Sequence, residues 1–336
     1  MQGYVYVQTN DADANEAVVY RREEDGRLAR LGSFLTGGKG SGAPHLPSQS
    51  SVVLHGENLF VTNAGSNDLT VFTIVGDELR ALDVAASGGE APRSVAVHEE
   101  HIYVLNTGGE SNVSGFRFDG ERLTELRGSR LQLGAGSDPA QIAFAPNGRT
   151  LLVSDRADAI HMVPLDEAFI AMRPQRHQSS GMTPYGFDIR DDGTVVVSEA
   201  AGAQAGKASA SSYRLGDGAL APVSGAIAST RSEVCWAVIS KDGRTAFVTN
   251  FGDGTVSSYA IGDDGSIELR EAVAATTVDG KPGLRDEAVS ADGRFLYALH
   301  ADTGNVYGWK IAGDGTLAPI GSANGLPLTA AGLAAS

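Results

Sequence analysis

One unit recurs along this 336-residue chain, and that recurrence limits the fold more than any other feature. An apolar run ends in a polar residue, and a turn rich in small residues follows. The run ends at Asn63, Asn106, Asp155, Glu199, Asn250 and His300, giving spacings of 43, 49, 44, 51 and 50 residues. Such a period, about 40 to 50 residues, is that of β-propeller blades. Within a copy, a first strand leads to an Asn-Gly or Asp-Gly turn, as in Lys241-Asp242-Gly243-Arg244 and Ala291-Asp292-Gly293-Arg294. These dipeptides favour hairpins because Gly adopts positive φ without steric cost. The apolar run is the second strand, a third follows (Leu69 to Ile74, Val256 to Ile261), and another turn opens an outer strand. Four antiparallel strands make a blade, and no stretch sustains a helical apolar period.

The two ends of the chain set the count. Val5 to Thr9 reads as a second strand with no first strand before it, and Ala331-Gly332-Leu333-Ala334 fits the vacant first-strand slot. The expected fold is therefore all-β: a seven-bladed β-propeller of four-stranded antiparallel blades, its first blade closed by the C-terminal strand. One domain, residues 1–336, holds all seven blades. Closing the ring this way removes two exposed strand edges.

Composition excludes several functions. The 43 glycines follow no three-residue period, so they read as turn residues rather than collagen. A net charge of -15 argues against nucleic acid and against an anionic membrane surface, since both need clustered Lys and Arg. No apolar run approaches the roughly 20 residues of a membrane span. Cys235 is the single cysteine, so no internal disulfide forms. The start, Met1 to Val7, reads as a strand rather than a leader. Together these features predict a cytoplasmic monomer whose partner is a small molecule.

The Asp-Gly-Arg turns, the Pro92-Arg93 opening of a first strand and the closing Gly332-Leu333-Ala334 resemble the lactonase family of seven-bladed propellers. That family includes propeller-type 6-phosphogluconolactonases and carboxymuconate-lactonising enzymes (carboxymuconate cyclase-like proteins). The resemblance covers essentially the whole chain and implies lactone hydrolysis. First strands of the family often open Pro-Arg-His and second strands often end Asn-Glu. This chain instead has Pro92-Arg93-Ser94, Asn63-Ala64 and Asn106-Thr107, with Glu ending a second strand only at Ser198-Glu199.

In a four-stranded blade the first strand starts, and the second ends, on one face of the ring. The sequence therefore gathers candidate residues at one channel mouth. Second-strand ends supply Asn63, Asn106, Asn250, Glu199 and His300, and first-strand starts supply Arg93, Gln141, Tyr185, Cys235 and Arg285. Lactone hydrolysis needs a base to activate water and an electrophilic clamp on the oxyanion. Glu199 or His300 is the candidate base. Arg93 and Arg285 are the candidate anchors of a small anionic lactone, because guanidinium pairs with carboxylate in bidentate fashion. Gln141, Tyr185, Asn63, Asn106 and Asn250 are candidate substrate-binding groups. The bland alternative is that strand-end Asn and Asp cap their own turns.

Three loops are expected at the rim: Thr36 to Ser48 with Lys39 and His45, Arg173 to Pro184 with Arg176 and His177, and Ala201 to Ala208. No cofactor is called for. The seven histidines lack zinc-ligand spacing, and a calcium or magnesium ion is left open. The alternative function is a non-catalytic propeller that binds a ligand or partner protein on one face.

Overall fold

A computed structural model describes residues 3–44, 46, 49–216, 218–278 and 280–336. Among these residues the strands form seven antiparallel sheets, and the helical elements are two single 3-10 turns, Ala201–Ala203 and Ala301–Thr303. The inner strands of blades 1 to 7 are Ala331–Ala335, Val52–His55, Glu90–His98, Pro139–Phe144, Pro184–Ile189, Val234–Ile239 and Leu284–Val289. Each touches the next, and the seventh touches the first, so the ring is closed.

Closure is made as the sequence predicts. Ala331–Ala335 pairs with Gly3–Gln8, setting Val5 opposite Ala335 and Gln8 opposite Ala331. The turn chemistry also holds: the Asp242 carboxylate accepts from Ser240 Oγ and the Arg244 amide, and Gly243 takes φ 72°. Blade 3 departs from four plain strands. Its outer edge is broken into Leu123–Glu125 and Leu131–Gln132, both paired with Asn112–Phe118.

Among the described residues, seven of the eight apolar clusters form the seams of the ring, each shared by two neighbouring blades. Phe247 packs with Leu296 and Trp309 of blade 7, whereas Val248 packs with Val196 and Ala210 of blade 5. Successive residues of a strand point to opposite faces, and in a propeller both faces are covered by neighbours. That is why the second strands read as unbroken apolar runs. The cluster joining blades 7 and 1 contains Leu333, and the cluster joining 1 and 2 contains Ala334, so the last strand serves both seams.

Candidate active site

The inner strands open with a register shift that decides where side chains go. Pro92 sits opposite Asn106, Pro139 opposite Asp155, Pro184 opposite Glu199, Val234 opposite Asn250, and Leu284 opposite His300. Bulges follow within two or three residues. The second-strand terminal residues therefore occupy one equivalent slot, and all of them are buried.

In that slot the side chains hold the blade together. Asn63 donates to Thr70 Oγ1 (2.8 Å) and accepts from Thr36 Oγ1 (2.7 Å). Asn106 donates to the Ser87 carbonyl (3.0 Å), and Asn250 donates to Thr255 Oγ1 and Ser257 Oγ. Asp155 accepts from Ser137 Oγ and lies 2.8 Å from His161 Nε2. Glu199 belongs to the same set. Its carboxyl accepts from Ser209 Oγ (2.6 Å), Ser211 Oγ (2.5 Å), Ser179 Oγ (3.3 Å) and the Gly181 amide (2.8 Å). Burial raises its pKa, and those four donors offset only part of that effect. His300 has Nε2 3.3 Å from the Lys281 carbonyl and a buried Nδ1 without a partner among the described residues; burial lowers its pKa. Neither Glu199 nor His300 lines the cavity described next.

One residue further along both strands, the side chains turn outward to the mouth. A cavity of about 390 Å³ opens there, walled by Tyr185, Cys235 and Arg285 from inner strands and by Arg156 and Phe251 from the residues just after Asp155 and Asn250. Sequence reasoning found Tyr185, Cys235 and Arg285 but missed Arg156 and Phe251, because it stopped one residue early. A one-residue step exchanges the two faces of a strand.

Three arginines surround Tyr185. Its ring meets Trp236 edge-on, with centroids 4.8 Å apart, and the Arg156 guanidinium lies 5.3 Å from its centroid. Arg156, Arg285 and Arg93 all act electrostatically on its hydroxyl; burial, the larger effect, raises its pKa. Arg156 is bound to Asp138 at 2.5 Å. Arg285 donates to the Leu46 carbonyl (3.0 Å) and lies 5.5 Å from the Phe251 ring centroid. Arg93 stands behind this wall and forms no hydrogen bond or ion pair among the described residues. Burial and the neighbouring Arg156 charge lower its pKa.

Two carboxylates line the cavity among the described residues, Asp138 and Glu233. Asp138 is neutralised by Arg156, whereas the Glu233 carboxylate has no partner among those residues. Glu233 and its counterpart Thr183 both adopt left-handed backbone, φ 52° and 57°, a strained conformation for residues with a Cβ. Each stands just before its inner strand and faces the cavity. The Cys235 thiol, pushed up to about 12 by burial, is a poor nucleophile.

Gln141 lies below the mouth, where its amide grips the backbone of the next blade: Nε2 donates to the Phe187 carbonyl (2.9 Å) and Oε1 accepts from its amide (2.7 Å). The Thr36 to Ser48 loop delivers Leu46 to the cavity wall, and Gln49 after it is buried and donates to the Ala237 carbonyl. Lys39 is exposed, and His45 lies outside the described residues. The stretch Arg173 to Pro184 reaches the cavity at Thr183, whereas Gln175–Gln178 is the outer strand of blade 4 and carries Arg176 and His177 to that edge. The third loop does reach the cavity, through Gly202 and Ala203. No group of three or more His, Cys, Asp or Glu among the described residues is placed to hold a metal ion.

The sequence model of the family described as Lactonase, 7-bladed beta-propeller matches residues 2–129 and 196–322. The chain belongs to that family. No curated protein matches it in sequence. Solved structures share its fold at low identity. A Lactobacillus plantarum protein has a TM-score of 0.81 at 15% identity, with 100% of both chains covered. A Bacteroides fragilis protein described as a candidate 6-phosphogluconolactonase has 0.76 at 16%, covering 100% of this chain and 98% of its own. The Pseudomonas aeruginosa periplasmic gluconolactonase PpgL has 0.72 at 16%, covering 100% and 99%.

Within this lactonase-family propeller, the departure from Asn-Glu noted above reaches the cavity at some blades. Where Asn-Glu is the family habit, the chain has Asn63-Ala64, Asn106-Thr107 and Asn250-Phe251, and of the second residues Phe251 lines the cavity. Glu199 stands in the Asn position, not the Glu position, with Ala200 after it. The matched stretches also stop short of one cavity wall: Asp138, Arg156, Thr183 and Tyr185 all lie between them.

Proposed function

We propose that this chain is a lactonase-type hydrolase that opens a small anionic lactone at the mouth of the central channel. The observation carrying this reading is the gathering of Arg93, Arg156 and Arg285 about Tyr185 in a chain whose overall charge is -15. Unlike the exposed acidic surface, this corner offers a local positive field in a partly dry pocket, where charge-assisted hydrogen bonds are strong.

In this reading Arg285 anchors the substrate's anionic group, and Arg93 adds positive field from behind the wall. The Tyr185 hydroxyl keeps its proton and donates it as a hydrogen bond to the carbonyl oxygen that gains charge. Glu233 takes a proton from water as the water oxygen bonds to the lactone carbonyl carbon. When the tetrahedral intermediate collapses, the ring C–O bond breaks and the departing oxygen takes that proton back from Glu233, so the product is a hydroxy acid and the enzyme is unchanged. Glu233 is preferred over Glu199 and His300 because it faces the cavity with no partner among the described residues to give up. A single cysteine and no disulfide fit the cytoplasm, and we expect a monomer acting on a small molecule without nucleic acid or membrane. Among the described residues, no helix is long and apolar enough to cross a membrane.

The test is Glu233→Gln, which preserves shape but cannot accept the proton. Lactone hydrolysis should fall by roughly a hundredfold or more while anion binding is little changed. Unchanged turnover in that variant would remove Glu233 from the mechanism.

A further inference from the structure

We infer that the cavity selects an anion with a compact apolar body, a carboxylated lactone bearing an aryl or alkyl group, over a polyhydroxylated sugar acid. The inference narrows the hydrolase reading and rests on its anion anchor. Its first support is the wall itself. Leu46, Val234, Trp236, Phe251, Ala200 and the ring of Tyr185 surround the space beside the arginines. At about 390 Å³ the cavity sits near the small end of ligand sites, which run from about 300 to 1,000 Å³.

The second support is what the cavity lacks among the described residues, a set of uncommitted amides. A sugar acid carries a hydroxyl on nearly every carbon, and each one buried without a partner opposes binding. The amides that sequence reasoning offered as substrate-binding groups are committed elsewhere. Asn63, Asn106 and Asn250 hold strands together inside the blades, and Gln141 and Gln49 grip inner-strand backbone. Of the neutral hydroxyls at the wall, Thr183 Oγ1 already accepts from the Gly202 amide. Third, the wall formed by Arg156, Thr183 and Tyr185 lies outside the stretches that match the family, which is where a change of substrate class would be written.

Isothermal titration of the intact chain with two monoanions, 4-phenylbutyrate and gluconate, tests the inference without requiring turnover. 4-Phenylbutyrate should bind at least roughly tenfold more tightly, the discrimination expected from burying a few methylene equivalents of apolar surface. Phe251→Ala should weaken 4-phenylbutyrate far more than gluconate and so erase most of that preference. If that variant fails to fold, the parent's preference alone decides the matter. Equal or tighter binding of gluconate overturns the inference, and so does binding of neither probe. A parent that binds 4-phenylbutyrate yet opens no lactone would overturn the hydrolytic reading and leave this one standing.

Discussion

Gln49 occupies the space that a side chain at position 186 would fill. A Cβ on Gly186 would lie 2.6 Å from Gln49 Oε1 and 2.7 Å from the Trp236 Cα. In blades 3 and 4 the equivalent positions, Ser94 and Gln141, reach the backbone amide of the following blade, at Ile142 and Phe187. Gly186 cannot, so Gln49 crosses the channel and does so instead, donating to the Ala237 carbonyl (3.0 Å) and accepting from its amide (3.2 Å). Gly186→Ala should therefore expel Gln49 and crowd Trp236, costing about 1–3 kcal/mol as overpacking does. Chemical denaturation measures it. A variant as stable as the parent would show that Gln49 is not held there.

Ring closure should be indispensable. Deleting residues 330–336 removes the inner strand of blade 1 and its contributions to two apolar seams. Two strand edges are then left unpaired, which invites association between chains. The truncated chain should aggregate or melt well below the parent in a thermal scan; a soluble product with an unchanged melting temperature would contradict the seam-sharing role of that strand.

Arg285→Met keeps much of the stem packing while removing the charge. The lost hydrogen bond is one donation to the Leu46 carbonyl, and the buried Arg285 Nε already lacks a partner among the described residues. Stability should change little. Anion affinity should weaken by about 1.5–3 kcal/mol, the scale of a hydrogen bond to a charged group. Titration and a melting curve run side by side separate the two effects, and a large loss of stability with affinity intact would make Arg285 a structural residue.

Glu287 should govern stability on the alkaline side. It is 3% exposed, and neither carboxyl oxygen has a hydrogen-bond partner among the described residues. Burial raises its pKa well above the usual carboxylate range, Asp188 and Asp286 push the same way, and the approach of the Thr249 amide offsets only part. The native state then holds this proton to a higher pH than the unfolded chain, whose glutamates titrate near about 4.3. Stability attributable to this group therefore falls as pH rises from that value toward the raised one. Glu287→Gln should match the parent in acid and melt progressively higher than it as pH rises. Parallel melting curves from pH 4 to 9 would mean that Glu287 titrates normally.

The blade count, the strand order and the closing strand were legible in the sequence because a propeller writes the same unit seven times, and each unit carries its own turn signals. Apolar runs through the second strands followed from burial on both faces. Tyr185, Cys235 and Arg285 were legible as residues at the mouth, since a first strand must begin there. Arg156, Phe251 and Glu233 were not. Whether Glu199 or Ala200 faces the cavity depends on a register shift between paired strands, and side-chain direction reverses with every residue, so a local pattern leaves the choice undetermined. The crossing of Gln49 to Ala237 and of Leu46 to Arg285 joins residues 188 and 239 positions apart. Only the closed ring brings them together, because no local propensity encodes which loop will fill a gap left by a glycine on the opposite side of a channel.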